Sequence, residues 1–157
     1  MDLMRRVMLA SEAETRTFGH RLARQLAPGD AVFLEGDLGA GKTTLARAII
    51  ETLTDVTDAT SPTFTLVQIY DLANGAQLWH ADLYRLEHPD EIEELGLYDA
   101  FEEAITLVEW PERMGLWRPR NRIDIALTQP DNGAGTQRMA SLTGHGMWEE
   151  KIKDDRA

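Results

Sequence analysis

The chain has 157 residues, of which 43% are hydrophobic and 27% charged, with a formal net charge of −11 at pH 7 and no cysteine. This length and composition predict a single globular domain that is large enough to bury a core. No apolar run approaches the ~18 residues that cross a bilayer, and the amino terminus lacks the apolar segment of a signal peptide, so we expect a cytoplasmic protein with no membrane role. The acidic balance argues against direct binding to DNA, which needs a clustered basic surface, but not against a basic protein partner. Disulfides and Cys-based metal sites are excluded.

The first predicted strand covers residues 5–9, and a helix follows from Ser11. Ser11 and Glu14 have the spacing of a capping box. Apolar positions 18, 22, 23 and 26 continue the helical pattern. Capping is the simpler role for Ser11, and a place beside the base of a bound nucleotide is the alternative.

Residues 36–43, Gly-Asp-Leu-Gly-Ala-Gly-Lys-Thr, have the spacing of a P-loop. An apolar run at 31–34 precedes them, and apolar positions at helical spacing follow, so the order strand, glycine loop, helix is predicted. Glycines let main-chain N–H groups approach phosphate oxygens, Lys42 reaches the β- and γ-phosphates, and the Thr43 hydroxyl binds Mg²⁺. A plain glycine turn would explain the glycines but not Lys42 and Thr43. The predicted nucleotide-phosphate site comprises Asp37, Leu38, Gly39, Ala40, Gly41, Lys42, Thr43 and Thr44.

A polar loop is predicted at 54–62, and it leads into Ser-Pro-Thr-Phe-Thr at 61–65. Thr63 and Thr65 have the setting of threonines that sense a γ-phosphate or its metal in nucleotide switches, although a rigid turn entering a strand fits equally well. Two β-rich runs, 65–72 and 77–83, flank Asn-Gly and predict a hairpin with a turn of two or four residues.

Functional side chains are concentrated at 80–85, His-Ala-Asp-Leu-Tyr-Arg, where the second hairpin strand ends. His80 and Asp82 share one face of that strand. They can orient each other or share a metal-bound water. A half-buried histidine and an edge aspartate form the alternative interpretation, which the presence of a P-loop makes less favourable.

The acidic segment 87–103 contains interspersed apolar residues and Gly96, which predicts two short amphipathic helices. Such a run is normally a solvated face, and a docking surface for a basic partner is the alternative. The run 104–109 is apolar without alternation, so it predicts a central strand that is covered on both faces and ends at Glu109. In P-loop proteins a strand of this kind supplies a metal-linked carboxylate, usually aspartate. Trp110 either stacks near the nucleotide or lies in the core.

Arginines 118, 120 and 122 form the one basic cluster. The run 123–127 predicts a half-exposed strand that pairs with a last strand at 137–142 across a turn at 131–135, with Gly-His-Gly at 144–146 as its end. We therefore expect one domain at 1–146 and a short polar tail or helix at 147–157. The predicted fold class is α/β, a P-loop NTPase-type three-layer fold with a mixed, mostly parallel central sheet.

Four blocks in this order and spacing, 36–44, 61–67, 80–85 and 108–111, resemble the TsaE (YjeE) family from about residue 11 to about residue 141. The resemblance implies a small bacterial P-loop ATPase, with ATP and Mg²⁺ as cofactors, that supports threonylcarbamoyladenosine modification of tRNA. It implies the TsaD–TsaB heterodimer as partner, with tRNA contacted only through that complex. From residue 128 onward the likeness is loose, so no nucleotide role is assigned to Gly135 or Arg138.

The resemblance also implies residue roles. Lys42, Asp82 and Glu109 are the expected catalytic residues, and Thr43 and Glu109 the expected metal ligands. Expected contacts to the nucleotide extend to Ser11 and Trp110, and switch-like roles fall to Thr63, Thr65, His80, Tyr84 and Arg85.

Two other functions fit the same phosphate motif. A small-molecule kinase would need a lid with arginines over the phosphates, for which only the cluster at 118–122 is available. A GTP-switch module is suggested by residues 121–124, Asn-Arg-Ile-Asp, which differ by one residue from the guanine motif Asn-Lys-x-Asp. Here, however, they start a predicted strand, whereas that motif follows one.

Overall fold

The computed structural model describes residues 3–57, 59, 62, 66–130 and 135–153. The strands are β1 (Leu3–Leu9), β2 (Ala31–Glu35), β3 (Val67–Asp71), β4 (Gln77–Asp82), β5 (Ile105–Glu109), β6 (Arg122–Thr128) and β7 (Arg138–His145). The helices are α1 (Glu12–Ala23), α2 (Lys42–Leu53), α3 (Glu91–Glu94), α4 (Leu97–Glu103) and α5 (Trp148–Lys151), with a 3₁₀ turn at Pro111–Met114. Thr63 and Thr65 lie outside the described residues, as does most of the predicted turn at 131–135.

The seven strands form one sheet in the order β1-β7-β6-β2-β5-β4-β3. The neighbours β6, β2, β5 and β4 pair in parallel, whereas β1 with β7, β7 with β6, and β4 with β3 pair antiparallel. Only β7 and β3 therefore run against the direction of the other strands in this sheet. The predicted mixed, mostly parallel sheet is confirmed.

Helices cover both faces of this sheet, because the side chains of its central strands alternate between two cores. Val32 and Leu34 of β2 pack in the core beneath α1 and α2, and Ala31 and Phe33 pack in a second core with α4. The three-layer arrangement is confirmed.

The predicted central strand is β5, which lies between β2 and β4 and is buried at all of its positions. Its register places Glu109 opposite Leu34 of β2 on one side and opposite Asp82 of β4 on the other. Because parallel strands end at the same edge of a sheet, the segments that follow β2, β4 and β5 meet there. This edge carries the candidate site.

The structure differs from the sequence prediction in three local details. The hairpin loop between β3 and β4 has three residues, 73–75, because the Leu72 amide donates to the Ala76 carbonyl and Gly75 takes a positive φ. Strand β7 continues through Gly144, which a side chain could not occupy because its Cβ would lie 2.2 Å from the Trp148 carbonyl oxygen. The segment after 146 forms α5, which is one of the two predicted alternatives, but its Trp148 is fully buried in the first core and the segment is therefore not simply polar. Within the described ranges, no helix is both long and apolar enough to cross a bilayer.

Candidate functional site

The loop between β2 and α2 has a backbone that depends on glycine. Gly36 has φ 144°, and a Cβ on it would lie 2.6 Å from the carbonyl oxygen of Leu127 on the neighbouring strand. Gly41 has φ 104° and is the N-cap of α2, with no side chain capping the helix there. The amino terminus of α2 therefore faces the loop through its backbone, and its partial positive charge favours an anion at this place.

Arg138 at the start of β7 holds the same loop from the other side. Its Nε donates to the Ala40 carbonyl at 2.8 Å and its Nη2 to the Gly39 carbonyl at 3.1 Å, while Nη1 donates to the carbonyls of Gly135 and Gln137. One guanidinium thus fixes two peptide planes of the loop. The sequence interpretation left Arg138 without a role, because nothing local indicates that β7 begins beside residues 39 and 40.

The Lys42 ammonium is buried between the loop and Trp110. Its Nζ donates to the Gly36 carbonyl and lies 3.4 Å from the centre of the Trp110 ring. Burial lowers the pKa of Lys42, and the negative charge of nearby Glu109 opposes that shift. The cation is therefore held in the lining of the site with little of its side chain exposed.

Trp110 takes the left-handed conformation, with φ 60° and ψ 50°, and is the one non-glycine residue with positive φ in the described part of the chain. Backbone strain of this kind persists where the surroundings over-determine it, often at functional sites. Its ring contacts Tyr84 at a centroid distance of 4.9 Å and also packs on the second core. Trp110 thus combines the two predicted positions, since it borders both the core and the site.

Glu109 connects the loop helix to β4. Its Oε1 accepts a hydrogen bond from Thr43 Oγ1 at 3.4 Å, and its Oε2 lies 2.7 Å from His80 Nε2. Glu109 is 2% exposed and His80 is fully buried. The predicted strand-end carboxylate therefore lies against the hydroxyl that follows the P-loop lysine.

Asp82 ends β4 directly beside Glu109. Its Oδ1 accepts the Tyr84 amide at 3.1 Å. Burial, with a smaller contribution from the charge of Glu109, raises the pKa of Asp82, and the Tyr84 hydrogen bond opposes this. A carboxyl group with a raised pKa is better suited to accept a proton than an ordinary aspartate.

These side chains line one open cleft of about 260 Å³ at the carboxyl edge of the parallel strands. Its described lining comprises Glu12, Thr15, Leu38, Gly39, Gly41, Lys42, Thr43, Thr44, Asp82, Glu109, Trp110, Thr136 and Arg138. Most of the residues predicted from the phosphate motif, together with the two strand-end carboxylates, are thus brought together. Glu12, Thr15, Thr136 and Arg138 were missed, because they come from α1, from the segment that leads into β7 and from the first residue of β7.

The other predicted residues are placed differently. The Ser11 hydroxyl accepts the Glu14 amide at 3.2 Å and caps α1, so capping is its observed role. Asp37 is exposed, and its backbone carbonyl accepts a hydrogen bond from the Ala40 amide. Asp37 and Ala40 therefore shape the loop, but neither belongs to the described lining of the cleft. Arg85 is exposed and is also absent from that lining.

The oxygen atoms of Thr43 and Glu109 fit a magnesium ion, which prefers hydroxyl, carboxylate, phosphate and water oxygens. The described residues contain no group of three or more His, Cys, Asp and Glu side chains arranged for a metal. A metal at this place would therefore take its remaining ligands from phosphate and water, as Mg²⁺ does in nucleotide sites.

The motifs behind the two alternative functions lie away from this cleft. Asn121 accepts the Ala31 amide through its carbonyl, at the edge of the sheet opposite the loop. Asp124 pairs with Arg122 at 3.0 Å and with His145 at 2.9 Å, and the Arg118 guanidinium lies 5.7 Å from the Phe33 ring centre. Within the described residues, neither the guanine-like motif nor the arginine cluster lines the cleft.

A glycine loop held between a central strand and its following helix, at the carboxyl edge of a three-layer sheet, defines the P-loop NTPase-type class of α/β proteins. Residues 9–139 match the family model described as "Threonylcarbamoyl adenosine biosynthesis protein TsaE". The chain belongs to the TsaE family, and the resemblance seen in the sequence is confirmed.

Relatives named tRNA threonylcarbamoyladenosine biosynthesis protein TsaE match over most of their length. The Rickettsia bellii protein is 39% identical over 87% of this chain and 92% of the relative, and the Nostoc sp. protein is 38% identical over 91% and 88%. The crystal structure of Bacillus subtilus YdiB superposes with a TM-score of 0.77 at 27% identity, covering 99% of this chain and 95% of that one.

Proposed function

We propose that this TsaE-family protein is a Mg²⁺-dependent ATPase that works in the cytoplasm with the TsaD–TsaB complex in tRNA threonylcarbamoyladenosine biosynthesis. The observation that carries the proposal is the convergence of the Lys42 ammonium, the Thr43–Glu109 pair and Asp82 in one cleft at the amino terminus of α2. Family membership supports the pathway, and the cleft chemistry supports the reaction.

In the proposed reaction, water attacks the γ-phosphorus and the bond to the β,γ-bridging oxygen breaks, giving ADP and phosphate. The loop amides and Lys42 neutralise the charge on the phosphate oxygens, which is the main protein contribution in this chemistry. Thr43 and Glu109 would hold a magnesium ion, which supplies further charge neutralisation when bound. Arg138 keeps the loop in the shape that presents its amides.

Asp82 is the better candidate of the two carboxylates for orienting the attacking water. Both oxygens of Glu109 already have partners, Thr43 and His80, whereas Asp82 lines the cleft with one oxygen engaged by the Tyr84 amide. The raised pKa of Asp82 also favours proton acceptance from water.

The test is phosphate release from ATP in the presence of Mg²⁺ by the wild type and by Lys42→Ala. Loss of the buried ammonium should lower turnover by about 10²–10³-fold, the range for removal of one transition-state contact. Lys153→Ala is the matched control, because this exposed lysine pairs only with Glu150 on the surface helix among its described contacts. Unchanged turnover in Lys42→Ala would refute the site.

Partner dependence has its own test. Arg138 is the one arginine in the described lining of the cleft, and its guanidinium donates to four carbonyl oxygens, two of them on the loop. It is therefore occupied with holding the loop, and no other arginine of that lining can stabilise the charge on the γ-phosphate. We therefore expect slow ATP hydrolysis by the isolated protein, faster hydrolysis with TsaD–TsaB, and ATP-dependent capture of this complex in a pulldown. Fast ATP hydrolysis by the isolated protein, without TsaD–TsaB, would contradict the partner role. A phosphorylated small molecule as product would indicate a kinase. Preferential binding of GTP over ATP in a competition experiment would indicate a GTP-switch module.

A further inference from the structure

His80 and Glu109 form a buried hydrogen-bonded pair that the proposed reaction does not itself require. We propose that His80 is a positioning residue, which fixes the Glu109 carboxylate so that Oε1 faces Thr43 and the metal position. The inference rests on the proposed function, since it concerns how strongly the same cleft holds magnesium with its nucleotide.

Strand register brings the two side chains together. Asp82 is directly opposite Glu109, and His80 is opposite Leu107, so His80 and Glu109 are diagonal neighbours on the same face of β4 and β5. His80 Nε2 lies 2.7 Å from Glu109 Oε2, and the exposed fractions of the two side chains are 0% and 2%. Leu78 and Leu107 pack in the core on this face, so the imidazole has no open space to leave the pair.

The two ring nitrogens of His80 have different surroundings. Nδ1 is buried and has no hydrogen-bond partner among the described residues. In the proposed role as a metal ligand, the Glu109 carboxylate only accepts hydrogen bonds, so its hydrogen bond with His80 requires a proton on Nε2. His80 is therefore the Nε2–H tautomer in this role, and its buried Nδ1, which has no donor partner among the described residues, carries no proton.

This hydrogen bond leaves one carboxylate oxygen for the cleft. Oε2 is engaged by His80, and Oε1 faces the Thr43 hydroxyl at 3.4 Å. Without the imidazole, a buried carboxylate oxygen would lose its donor, and the carboxylate would turn to find another. Partners of this kind, which orient a metal ligand, change metal affinity by about 10–100-fold when removed.

The experiment measures ATP affinity by calorimetry with excess Mg²⁺ and again with EDTA. In H80L the ratio of the two affinities should fall by about 10–100-fold, while ATP binding in EDTA stays as in the wild type. H80Q, whose side-chain amide can donate in place of Nε2–H, should recover at least part of the ratio. H145L is the matched control, because His145 Nε2 also lies close to a carboxylate, at 2.9 Å from Asp124 Oδ2, and neither residue belongs to the described lining of the cleft. The affinity ratio of H145L should equal that of the wild type.

The outcomes separate this inference from the function itself. If the wild type shows no Mg²⁺ enhancement of ATP binding, the proposed function fails. If the wild type shows it and H80L retains it, or if H80L and H80Q lose it equally, the positioning role fails alone. Should H80L not fold, H80Q and long-range ¹H–¹⁵N spectra of the wild type still decide, since a proton on Nδ1 of His80 would overturn the assignment.

Discussion

Replacing Gly36 by alanine should destabilise the protein far more than the same change at Gly39, although both glycines lie in one loop and both have positive φ. At Gly36, with φ 144°, the new Cβ would lie 2.6 Å from the Leu127 carbonyl oxygen and 3.0 Å from the Ala40 Cβ. At Gly39, with φ 82°, no atom lies within 4 Å of the new Cβ. The pair separates backbone strain from steric overlap.

The expected magnitudes follow from these two terms. Gly39→Ala meets only the left-handed backbone cost, about 1–2 kcal/mol. Gly36→Ala adds about 1–3 kcal/mol of overlap to about 1–3 kcal/mol of strain, or about 2–6 kcal/mol in total. For a chain of this size each kcal/mol lowers the Tm by about 3 °C, so we expect Tm losses of about 3–6 °C for Gly39→Ala and about 6–18 °C for Gly36→Ala.

Thermal unfolding of the nucleotide-free proteins, followed by far-UV circular dichroism, measures both values. The Gly36 carbonyl also accepts a hydrogen bond from the Lys42 ammonium. Displacement of the backbone at residue 36 should therefore move Lys42 as well, and Gly36→Ala should weaken ATP binding more than Gly39→Ala. If the two variants melt within about 2 °C of each other, the contact with Leu127 does not fix the loop.

Two further changes test the site and the core. Burial raises the pKa of Asp82 in the folded state above the usual value of 3.8, which applies to the unfolded chain. The stability contribution of this group is therefore fully present below pH 3.8 and is lost as the pH rises through the folded-state pKa. Asp82→Asn keeps the acceptor for the Tyr84 amide and should therefore be more stable than the wild type at pH 7. In urea titrations the difference in free energy of unfolding should disappear towards pH 4. A difference that does not change with pH would show that burial does not raise the pKa of Asp82. Trp148→Ala should cost about 3–5 kcal/mol in the free energy of unfolding, because the side chain is fully buried, whereas Met147→Ala, at a 62% exposed side chain, should cost less than about 0.5 kcal/mol. Equal effects in the same denaturant titration would contradict the docking of α5 on the core.

The parts of this fold that could be predicted are those coded by contiguous residues. The loop at 36–43 has its chemistry and its flanks in one stretch, and β5 is recognisable because every side chain from 105 to 108 except Thr106 is apolar. The helices around Gly96 were predicted for the same reason, since periodicity and a breaker are local signals.

The parts that could not be predicted depend on contacts across the chain. Arg138 bonds to carbonyls of residues 39 and 40, and His80 bonds to Glu109, and no local pattern gives the register that joins them. The sequence predicted a short helix or a polar tail after residue 146, and it gave no core contact for Trp148 because the neighbours of Trp148 are charged. Its spacing of four residues from Ile152, also buried, is the signal that would have indicated a helix with an apolar face.

The pairing of β1 with β7 has a consequence for synthesis of the chain. Strand β1 lies at the edge of the sheet, and its register partner runs from Arg138 to Gly144. During translation β1 therefore has no pairing partner until β7 has been made and has left the ribosome, and the exposed side chains of Met4 and Met8 lie on this edge strand. Until β7 is available, β1 is an unpaired strand with apolar side chains that other chains can pair with, and the arrival of β7 both completes the sheet at β1 and brings Arg138 to the loop.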